Sequence, residues 1–328
     1  MHLSIIIPHY NLHHSLLTRA IDSVVSQWNE EHALWEIIVV DDGSNQPPAT
    51  VVNSFHRNNI RLYCQPHRRQ GAARNFGLSQ AQGQYVLFLD ADDYILPNTL
   101  APLLNLALSY KPDILRFKTI TTSSPTYRHQ PKSSTRLVTI SQPVTGEEFM
   151  LRHHLPDSPV LFLFRRDLAM SHNIRFPEDV YLEDCLFTAQ LHHFATAVCI
   201  VDTKVYAYYQ RDNSTVNKAE IQHKVMLRQH HLIAIEQLNS FIKDENERNN
   251  TKGLQHKHTL LIVDYLRRIC RDLSWASIRK EQLPLLRSKG LYPLPLRHYG
   301  VKYLLFACIA NMPAGLRIIR FLSRCRAL

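Results

Sequence analysis

The chain has 328 residues, of which 45% are hydrophobic and 20% are charged; this balance is typical of globular proteins and excludes a wholly disordered chain. Its length exceeds the usual size of one domain, so we expect one large domain or a domain with an extension. The formal net charge is +10, and eight of these charges lie after Glu281, because that final segment has eight lysines and arginines and no acidic residue.

Short apolar runs alternate with amphipathic helical patterns over the first hundred residues. The runs are rich in β-branched and aromatic residues, which favour buried strands, whereas apolar residues between them recur at helical spacing. This alternation predicts an α/β fold with a Rossmann-like, mainly parallel sheet flanked by helices. Strands are predicted at 3–7, 37–40, 60–63 and 85–89, and helices at 13–27 and 72–81.

The later sequence changes character twice. Residues 121–134 are polar, which indicates a loop or an irregular hairpin, and Thr145 with Glu148 forms a capping-box pattern that begins a helix. From residue 221 the pattern is helical throughout, which predicts a C-terminal helical extension. Strands are predicted at 159–164 and 197–209, and helices at 145–154, 184–194, 221–242 and 254–273.

Three carboxylates, Asp90, Asp92 and Asp93, directly follow the predicted strand at 85–89. Carboxylates at the end of a buried strand repel one another unless a cation intervenes, and hard oxygen ligands suit Mg²⁺ or Mn²⁺. The alternative is a solvated acidic turn that caps the next helix. Ligands of parallel sheets bind at the carboxyl ends of strands, which favours the metal interpretation.

Two further segments have the same placement. Asp41 and Asp42 also follow a strand, and a tight turn with an aspartate cap is the alternative to a binding role. The segment Gly71–Gly77 is rich in small residues and begins a helix, which suits the close approach of an anionic ligand to backbone N–H groups. Arg74 adds a cation there, and ordinary helix packing is its alternative.

Together these segments resemble the inverting, family-two glycosyltransferases with the GT-A nucleotide-sugar fold. The resemblance covers roughly residues 3–215 and depends on the order of six motifs, each weak alone. The motifs are IIIPHYN at 5–11, IVVDDGS at 38–44, GAARNFG at 71–77, FLDADD at 88–93, ED at 183–184 and YQRDNS at 209–214.

The resemblance implies a role for each matching position. Asp92 corresponds to the metal-binding aspartate with Asp90 as its companion, and Asp184 corresponds to the general base, with Glu183 beside it. Contacts with the nucleotide sugar are implied for Pro8, Tyr10, Asp41, Asp42, Arg74, Asp90, Arg211 and Ser214.

The chain departs from the common pattern at two positions. His9 replaces the more frequent Val or Thr, and we expect its side chain to point away from the pocket. Leu182 stands where a glycine often precedes the acidic pair, which affects how Asp184 is aimed.

The resemblance predicts transfer of a sugar from a nucleotide-diphosphate sugar to a hydroxyl of a glycan or glycolipid acceptor. A UDP-sugar is the favoured donor. Lipopolysaccharide, capsule or another surface polysaccharide is the implied product, with Mn²⁺ or Mg²⁺ as cofactor. We predict a catalytic domain over 1–215, with a nucleotide-binding half (1–100) and an acceptor half (101–215), and a helical extension over 216–328.

Two other functions remain open from the residues. A sugar nucleotidyltransferase can share a similar sheet and acidic site, although it usually has a glycine-rich basic loop after its first strand, where this chain has Pro8–Asn11. A catalytically silent, membrane-associated module is the non-enzymatic alternative. A dehydrogenase is disfavoured because the GxGxxG pattern is absent after the first strand.

Histidine pairs occur at 13–14, 153–154, 192–193 and 230–231. Neighbouring residues on a helix diverge by about 100°, so such a pair rarely chelates one ion, and we predict surface or interfacial positions for them. His172 and His192 are additional candidates for the acceptor site.

The basic tail intersperses aliphatic residues with arginines between residues 299 and 328. This pattern predicts a peripheral association with an anionic membrane; the alternative is a helix packed on the catalytic domain with its arginines in water. No nucleic-acid partner is expected, since no recognition module is present.

The remaining features concern localisation. The six cysteines form no CxxC pair, which fits a reducing compartment, and the first residues have neither the charge nor the apolar length of a signal peptide. We expect a cytoplasmic protein at the inner face of the cytoplasmic membrane.

Overall fold

The computed structural model describes residues 1–28, 35–124, 139–153, 157–178, 180–210, 221–246, 250–297 and 299–325. The chain divides into two compact units. The first comprises Met1–Phe149 and Pro156–His223, and the second comprises Met150–Leu155 and Lys224–Leu328.

The first unit contains one eight-stranded sheet with the order β3-β2-β1-β4-β7-β6-β8-β5. The strands are β1 (Leu3–His9), β2 (Trp35–Asp41), β3 (Ile60–Cys64), β4 (Tyr85–Phe88), β5 (Tyr94–Ile95), β6 (Ile114–Thr122), β7 (Phe162–Arg165) and β8 (Val198–Tyr209).

The four strands from β3 to β4 are parallel, as the sequence predicts. Every residue of β1 and β2 is buried, because both faces of a parallel sheet are covered. Most of these residues are apolar, and the buried polar ones are paired, as where the Ser4 hydroxyl donates to Glu36 at 2.6 Å. Ile5 of β1 pairs with Ile37 of β2, and Ile6 pairs with Phe88 of β4. Their carboxyl ends therefore meet at one edge of the sheet.

The other half of the sheet is mixed. β7 runs antiparallel to both β4 and β6, so β4 and β6 point the same way, and β8 pairs parallel with β6. The sequence predicted β8 and most of β7, but it gave no prediction for β6 or for the two-residue strand β5, which pairs antiparallel with β8.

The helices of the first unit agree with the predicted ones within a few residues, apart from α2, α4 and α6, for which no prediction was made. They are α1 (His14–Val25), α2 (Ala49–Asn53), α3 (Arg69–Gln80), α4 (Leu100–Tyr110), α5 (Gly146–Arg152), α6 (Arg166–Ser171) and α7 (Glu183–Phe194). The predicted cap of α5 is present, since the N–H of Glu148 donates to the Thr145 hydroxyl at 3.2 Å.

The second unit is helical in its described part, as predicted. Its helices are α8 (Ile221–Asn246), α9 (Lys252–Asp272), α10 (Trp275–Ser277), α11 (Leu283–Ser288), α12 (Val301–Asn311) and α13 (Gly315–Cys325), with a π-helical turn at Ile278–Gln282. No described helix is by itself long and apolar enough to cross a membrane; α12 and α13 reach that length and apolarity only together, with a bend of 119° between them.

The prediction of surface or interfacial positions for the histidine pairs is wrong for three of their rings. His192, His193 and His231 are buried, because each finds a partner inside the protein. Nδ1 of His192 donates to the Thr188 carbonyl at 2.8 Å, Nδ1 of His193 donates to Glu147 at 2.6 Å, and Nε2 of His231 donates to a carbonyl of α9 at 3.1 Å. In the described residues no histidine belongs to a metal-binding cluster.

Candidate active site

The site is built at the edge where β1, β2 and β4 end. Parallel strands deliver the residues that follow them to the same edge, and here those residues are polar in a chain whose strands are apolar. Asp42 follows β2, and the acidic turn 90–93 follows β4. Pro8 is buried within β1, opposite Val40, and thus forms part of the floor.

The turn after β2 is held by buried hydrogen bonds. The Asp41 carboxylate accepts from Nδ1 of His9 at 2.9 Å and from the hydroxyl of Ser44 at 2.5 Å. Asp41 and His9 are both buried, so Asp41 shapes the turn and holds its neighbour Asp42 in place. His9, whose side chain we expected to point away from the pocket, is thus part of this support.

Asp42 lies beside an aromatic pair. Its carboxylate accepts from Nε2 of Gln65 at 2.6 Å and from the backbone N–H of Arg68 at 2.9 Å, and Nδ1 of His67 lies 2.8 Å from its other oxygen. The His67 ring stacks on Tyr10 with 4.1 Å between ring centroids. Tyr10 is 43% exposed, so a flat aromatic face is available to a ligand next to this carboxylate.

A cavity of about 610 Å³ lies along the loops that follow β1 and β2. These loops are tied together, since the N–H of Asn45 donates to the Asn11 side chain at 2.9 Å and the N–H of Asn11 donates to the Ser44 hydroxyl at 2.8 Å. The cavity is lined by Asn11, Leu12, His13, His14, Asn45 and Gln46.

Arg74 is the centre of the acidic part of the site. Its side chain is 1% exposed, and its guanidinium donates to Asp90 at 2.9 Å and to Asp184, with Glu183 at 3.8 Å. The guanidinium also lies over the rings of Phe88 and Phe176, at 5.9 and 5.4 Å from the centroids. Asp90 and Asp184, which are far apart in the sequence, therefore share one buried cation.

Burial and charge perturb the groups of this cluster. Burial raises the pKa of Asp184 to about 7, although the nearby Arg74 acts in the opposite direction. Burial likewise raises the pKa of Glu183, again against the effect of Arg74. Burial alone acts to lower the pKa of Arg74, but the charges of Asp184, Asp90 and Glu183 outweigh it and raise that pKa.

The start of α7 aims Asp184. Leu182, the N-cap residue, has φ +82°, in the left-handed region that glycine adopts most easily. This is the position where the resemblance led us to expect glycine, so the chain keeps the backbone turn with a less suitable residue. Asn75 of α3 fixes the preceding segment by two 2.8 Å hydrogen bonds with the backbone of Phe176.

The turn 90–93 is anchored to β8. The Asp93 carboxylate accepts from the Tyr206 hydroxyl at 2.6 Å and from the N–H of Tyr209 at 2.8 Å. Burial, followed by the charge of Asp90, raises the pKa of Asp93 to about 8. On the other side, Arg19 of α1 donates to the Asp92 carbonyl, and its guanidinium lies 4.2 Å from the centroid of the Tyr209 ring.

The acidic turn fits a divalent cation shared with a ligand. Asp90 and Asp92 provide hard carboxylate oxygens and are neither fully buried nor fully exposed. Within the described ranges, no set of three or more His, Cys, Asp or Glu side chains is arranged to hold a metal ion. A cation held by Asp92 and Asp90 would therefore complete its coordination with oxygens of the substrate.

The structure does not bring every candidate to this edge. His192 is buried, accepts from Arg116 at 3.1 Å and lies in an aromatic core. His172 lines a cavity of about 220 Å³ beside Asp113, which precedes β6 and so lies at the opposite, amino edge of the sheet. Arg211 and Ser214 lie outside the described residues.

Five residues of the site were missed by the sequence analysis: Arg19, Gln65, His67, Gln70 and Tyr206. Gln70 donates to Asp90 at 2.9 Å, and the others contact the two carboxylate turns as described. A positional signal existed for Gln65 and His67, since both follow β3 as Asp42 follows β2. Nothing in the sequence marks Tyr206 as a partner of Asp93.

One model of a known protein family matches slightly more than half of the chain. The model of the glycosyl transferase family 2 matches residues 4–171. This range contains β1 to β4, the aspartates at 41–42 and 90–93, and Arg74, and it ends before Asp184.

Among individual proteins, an uncharacterized glycosyltransferase YibD of Escherichia coli is 28% identical over 247 residues, which are 72% of this chain and 69% of that relative. TarS of Staphylococcus aureus, a poly(ribitol-phosphate) β-N-acetylglucosaminyltransferase, is 27% identical over 253 residues, which are 75% of this chain and 42% of that relative.

Two solved structures have a fold similar to that of this chain. The crystal structure of TarS residues 1–349 in complex with UDP-GlcNAc has a TM-score of 0.62 at 22% identity and covers 99% of this chain and 88% of that one. The mannosyltransferase PcManGT of Pyrobaculum calidifontis, solved with GDP-Man and Mn²⁺, has a TM-score of 0.53 at 16% identity and covers 98% and 86% of the two chains. The predicted GT-A type fold is thereby confirmed.

Proposed function

The chain belongs to glycosyltransferase family 2, and from this we propose that it transfers a sugar from a UDP-sugar to a hydroxyl group of a glycan or glycolipid acceptor. One observation carries the proposal. Arg74 gathers Asp90, on the side of the strand ends, and Asp184, at the start of α7, into a single cluster. A transferase of this kind needs both a carboxylate near the donor diphosphate and a base facing the acceptor.

The donor base is proposed to bind between Asp42 and Tyr10. A carboxylate accepts hydrogen bonds only and so complements the N3–H group of uracil, and the exposed face of Tyr10 offers a stacking surface. UDP-GlcNAc in the TarS crystal structure supports a uridine nucleotide. GDP in the PcManGT structure shows that the fold also accepts a purine nucleotide, so the choice of base needs a direct test.

We propose that Asp92 and Asp90 hold Mn²⁺ or Mg²⁺ together with the diphosphate. A bound divalent ion stabilises the negative charge that develops on the leaving nucleoside diphosphate. The Mn²⁺ of PcManGT supports this assignment. Arg74 and Gln70 fix the Asp90 carboxylate by hydrogen bonds, so its orientation does not depend on the ion.

Asp184 is the proposed general base. Burial raises its pKa to about 7, which places the carboxylate close to the acidity at which a base works best near neutral pH. Asp184 accepts the proton of the acceptor hydroxyl as this attacks the sugar. Glu183, also with a raised pKa, adds negative charge beside it. One displacement from the face opposite the leaving group inverts the anomeric centre, so an α-linked donor gives a β-linked product.

The acceptor is proposed to be a hydroxyl of a growing surface glycan, such as lipopolysaccharide or capsule. TarS, named for its action on poly(ribitol-phosphate), supports an acceptor of this general class. The donor sugar and the linkage are to be found by screening.

The test is a set of turnover and binding measurements with UDP-sugars and Mn²⁺. Asp184→Asn is expected to lower kcat by about 10²–10⁴ while the affinity for UDP stays within roughly twofold, because the residue acts on the acceptor proton. Asp92→Asn is expected to abolish the turnover that depends on Mn²⁺ and to weaken the binding of UDP, because the cation loses a ligand. Asp167→Asn, an exposed aspartate at the opposite edge, is the matched control.

Two results would contradict the proposal. Full activity in the presence of EDTA would show that the reaction does not need a divalent cation. Formation of UTP and sugar 1-phosphate from the UDP-sugar and added pyrophosphate, with no release of UDP, would identify a nucleotidyltransferase.

A further inference from the structure

The end of the second unit has an unusual surface. Fifteen large apolar side chains are exposed among the described residues, and seven of them lie between residues 296 and 322. Soluble proteins seldom expose apolar residues in such a concentration unless the surface contacts a partner.

Helix α13 is apolar on two faces. Its inner face packs on α9, since Leu316 and Ile319 are buried and Nε of Arg320 donates to the carbonyl of Leu273 at 3.1 Å. The outer face consists of Ile318, Phe321 and Leu322, which the spacing i, i+3 and i+4 places in one stripe, and Phe321 is 68% exposed. Packing on the protein therefore accounts for only half of the apolar character of this helix.

Helix α12 repeats this arrangement. Val301 and Leu305, four residues apart on the helix, are exposed, while Tyr303 and Ala307 are buried on the other side. Met312, which follows the last residue of the helix, is also exposed. Val301 is 75% exposed, the largest value among the exposed apolar residues that the structure describes. We name the exposed apolar residues of α12, of the turn after it and of α13 the outer apolar face: Val301, Leu305, Met312, Ile318, Phe321 and Leu322.

The charge around this face selects its partner. The chain has no acidic residue after Glu281, and the exposed Lys302 and Arg317 stand next to the apolar residues of α12 and α13. A second copy of the chain would bring the same positive charges together, which is unfavourable. An anionic bilayer supplies both an apolar interior and negative headgroups.

We propose that the outer apolar face of α12 and α13 binds an anionic lipid bilayer, with Phe321 and Leu322 inserted below the headgroups and Lys302 and Arg317 held at them. The inference is independent of catalysis. It takes up the membrane interpretation of the tail for the outer face, while the inner face of α13 packs on α9 of the second unit.

The test is flotation of the full-length protein with vesicles. We expect binding to vesicles containing phosphatidylglycerol and, with pure phosphatidylcholine, binding weaker by about tenfold or more, since each basic residue contributes to attraction by anionic headgroups. Phe321→Ser is expected to weaken binding to the anionic vesicles by about tenfold. Tyr110→Ser, which removes an aromatic side chain of similar exposure (62%) from α4 in the first unit, is expected to leave it unchanged.

A second pair of variants separates charge from apolar contact. Lys302→Gln with Arg317→Gln is expected to weaken binding to anionic vesicles only, and binding of the unaltered protein is expected to fall as salt rises. Lys111→Gln with Lys118→Gln removes two exposed charges from the first unit and serves as the control. Circular dichroism and thermal unfolding confirm that each variant is folded.

Three outcomes would overturn the proposal. The first is no flotation of the unaltered protein with anionic vesicles. The second is equal loss of binding in Phe321→Ser and Tyr110→Ser. The third is a dimer of the unaltered protein that Phe321→Ser converts to a monomer without any vesicle binding, since the face would then join two copies of the chain.

Discussion

Replacing Arg74 with methionine is expected to lower the melting temperature of the first unit by about 6–20 °C at pH 8. The guanidinium is 1% exposed and holds Asp90 and Asp184. Removing one partner of a buried ion pair costs about 3–5 kcal/mol, because the charges left behind are uncompensated. Here Asp90 and Asp184, which are 26% and 27% exposed, are left without their shared cation. In a unit of roughly 200 residues, each kcal/mol lowers the melting temperature by about 2–4 °C.

The pH dependence of this deficit tests the electrostatic cause. Burial already raises the pKa of Asp184 to about 7, and the opposing effect of Arg74 is lost in the variant, so that pKa rises further. A carboxyl whose pKa is higher in the folded state stabilises the fold fully below its unfolded pKa near 4, and that stabilisation is lost as pH rises through the folded value. The deficit of Arg74→Met is therefore expected to be smaller at pH 5 than at pH 8.

Differential scanning calorimetry at pH 5 and pH 8 measures both quantities. Arg165→Met is the matched control, because Arg165 also contacts two aspartates, Asp113 and Asp167, but is 37% exposed. Pairs that exposed are worth about 1 kcal/mol or less, so its deficit is expected to stay within about 4 °C. A deficit of Arg74→Met that is equal at both pH values, or no larger than that of the control, would refute the reasoning.

Substitutions at Leu182 and Tyr206 test how the backbone before Asp184 and the hydrogen bond to Asp93 contribute to stability. Leu182→Gly is expected to keep the free energy of unfolding, measured with urea, within about 1 kcal/mol of the unaltered protein. Leu182→Val is expected to lower it by about 1–3 kcal/mol, because a β-branched residue tolerates a positive φ poorly. Equal stabilities of the two variants would contradict this. Tyr206→Phe is expected to lower the free energy of unfolding by about 1–3 kcal/mol, since the buried Asp93 loses its 2.6 Å hydrogen bond. Tyr110→Phe, at an exposed tyrosine, is expected to leave it unchanged. Similar losses in both tyrosine variants would argue against that bond.

The parallel part of the fold was predictable from the sequence. Each of β1, β2 and β4 is a short, mainly apolar run with polar residues after it, and this pattern is set by burial on both faces of the sheet. β3, at the end of the sheet, is only partly buried but is rich in apolar and aromatic residues. The mixed part was less so. β5 is only two residues long, and the second half of β6 is polar and partly exposed, because partners elsewhere in the sheet define both strands.

For the site, the sequence predicted that Asp90 and Asp184 lie close together, but it did not predict that Arg74 contacts both of them. Arg74 was expected to contact the base or the diphosphate, and its burial against Asp90 and Asp184 depends on tertiary contacts that no local pattern reports. The same limit applies to His192, whose adjacent-pair pattern predicted the surface. A histidine becomes a core residue when partners such as the Thr188 carbonyl are available, and those partners are known only in three dimensions.

The single guanidinium shared by Asp90 and Asp184 affects how rate measurements on this protein should be interpreted. Substitutions at residues that contact a common partner are not additive, so the loss caused by Asp90→Ala will include a misplaced Asp184 as well as weaker cation binding. A thermodynamic cycle that combines changes at Asp90, Asp184 and Arg74 would divide the loss between the leaving group and the attacking alcohol.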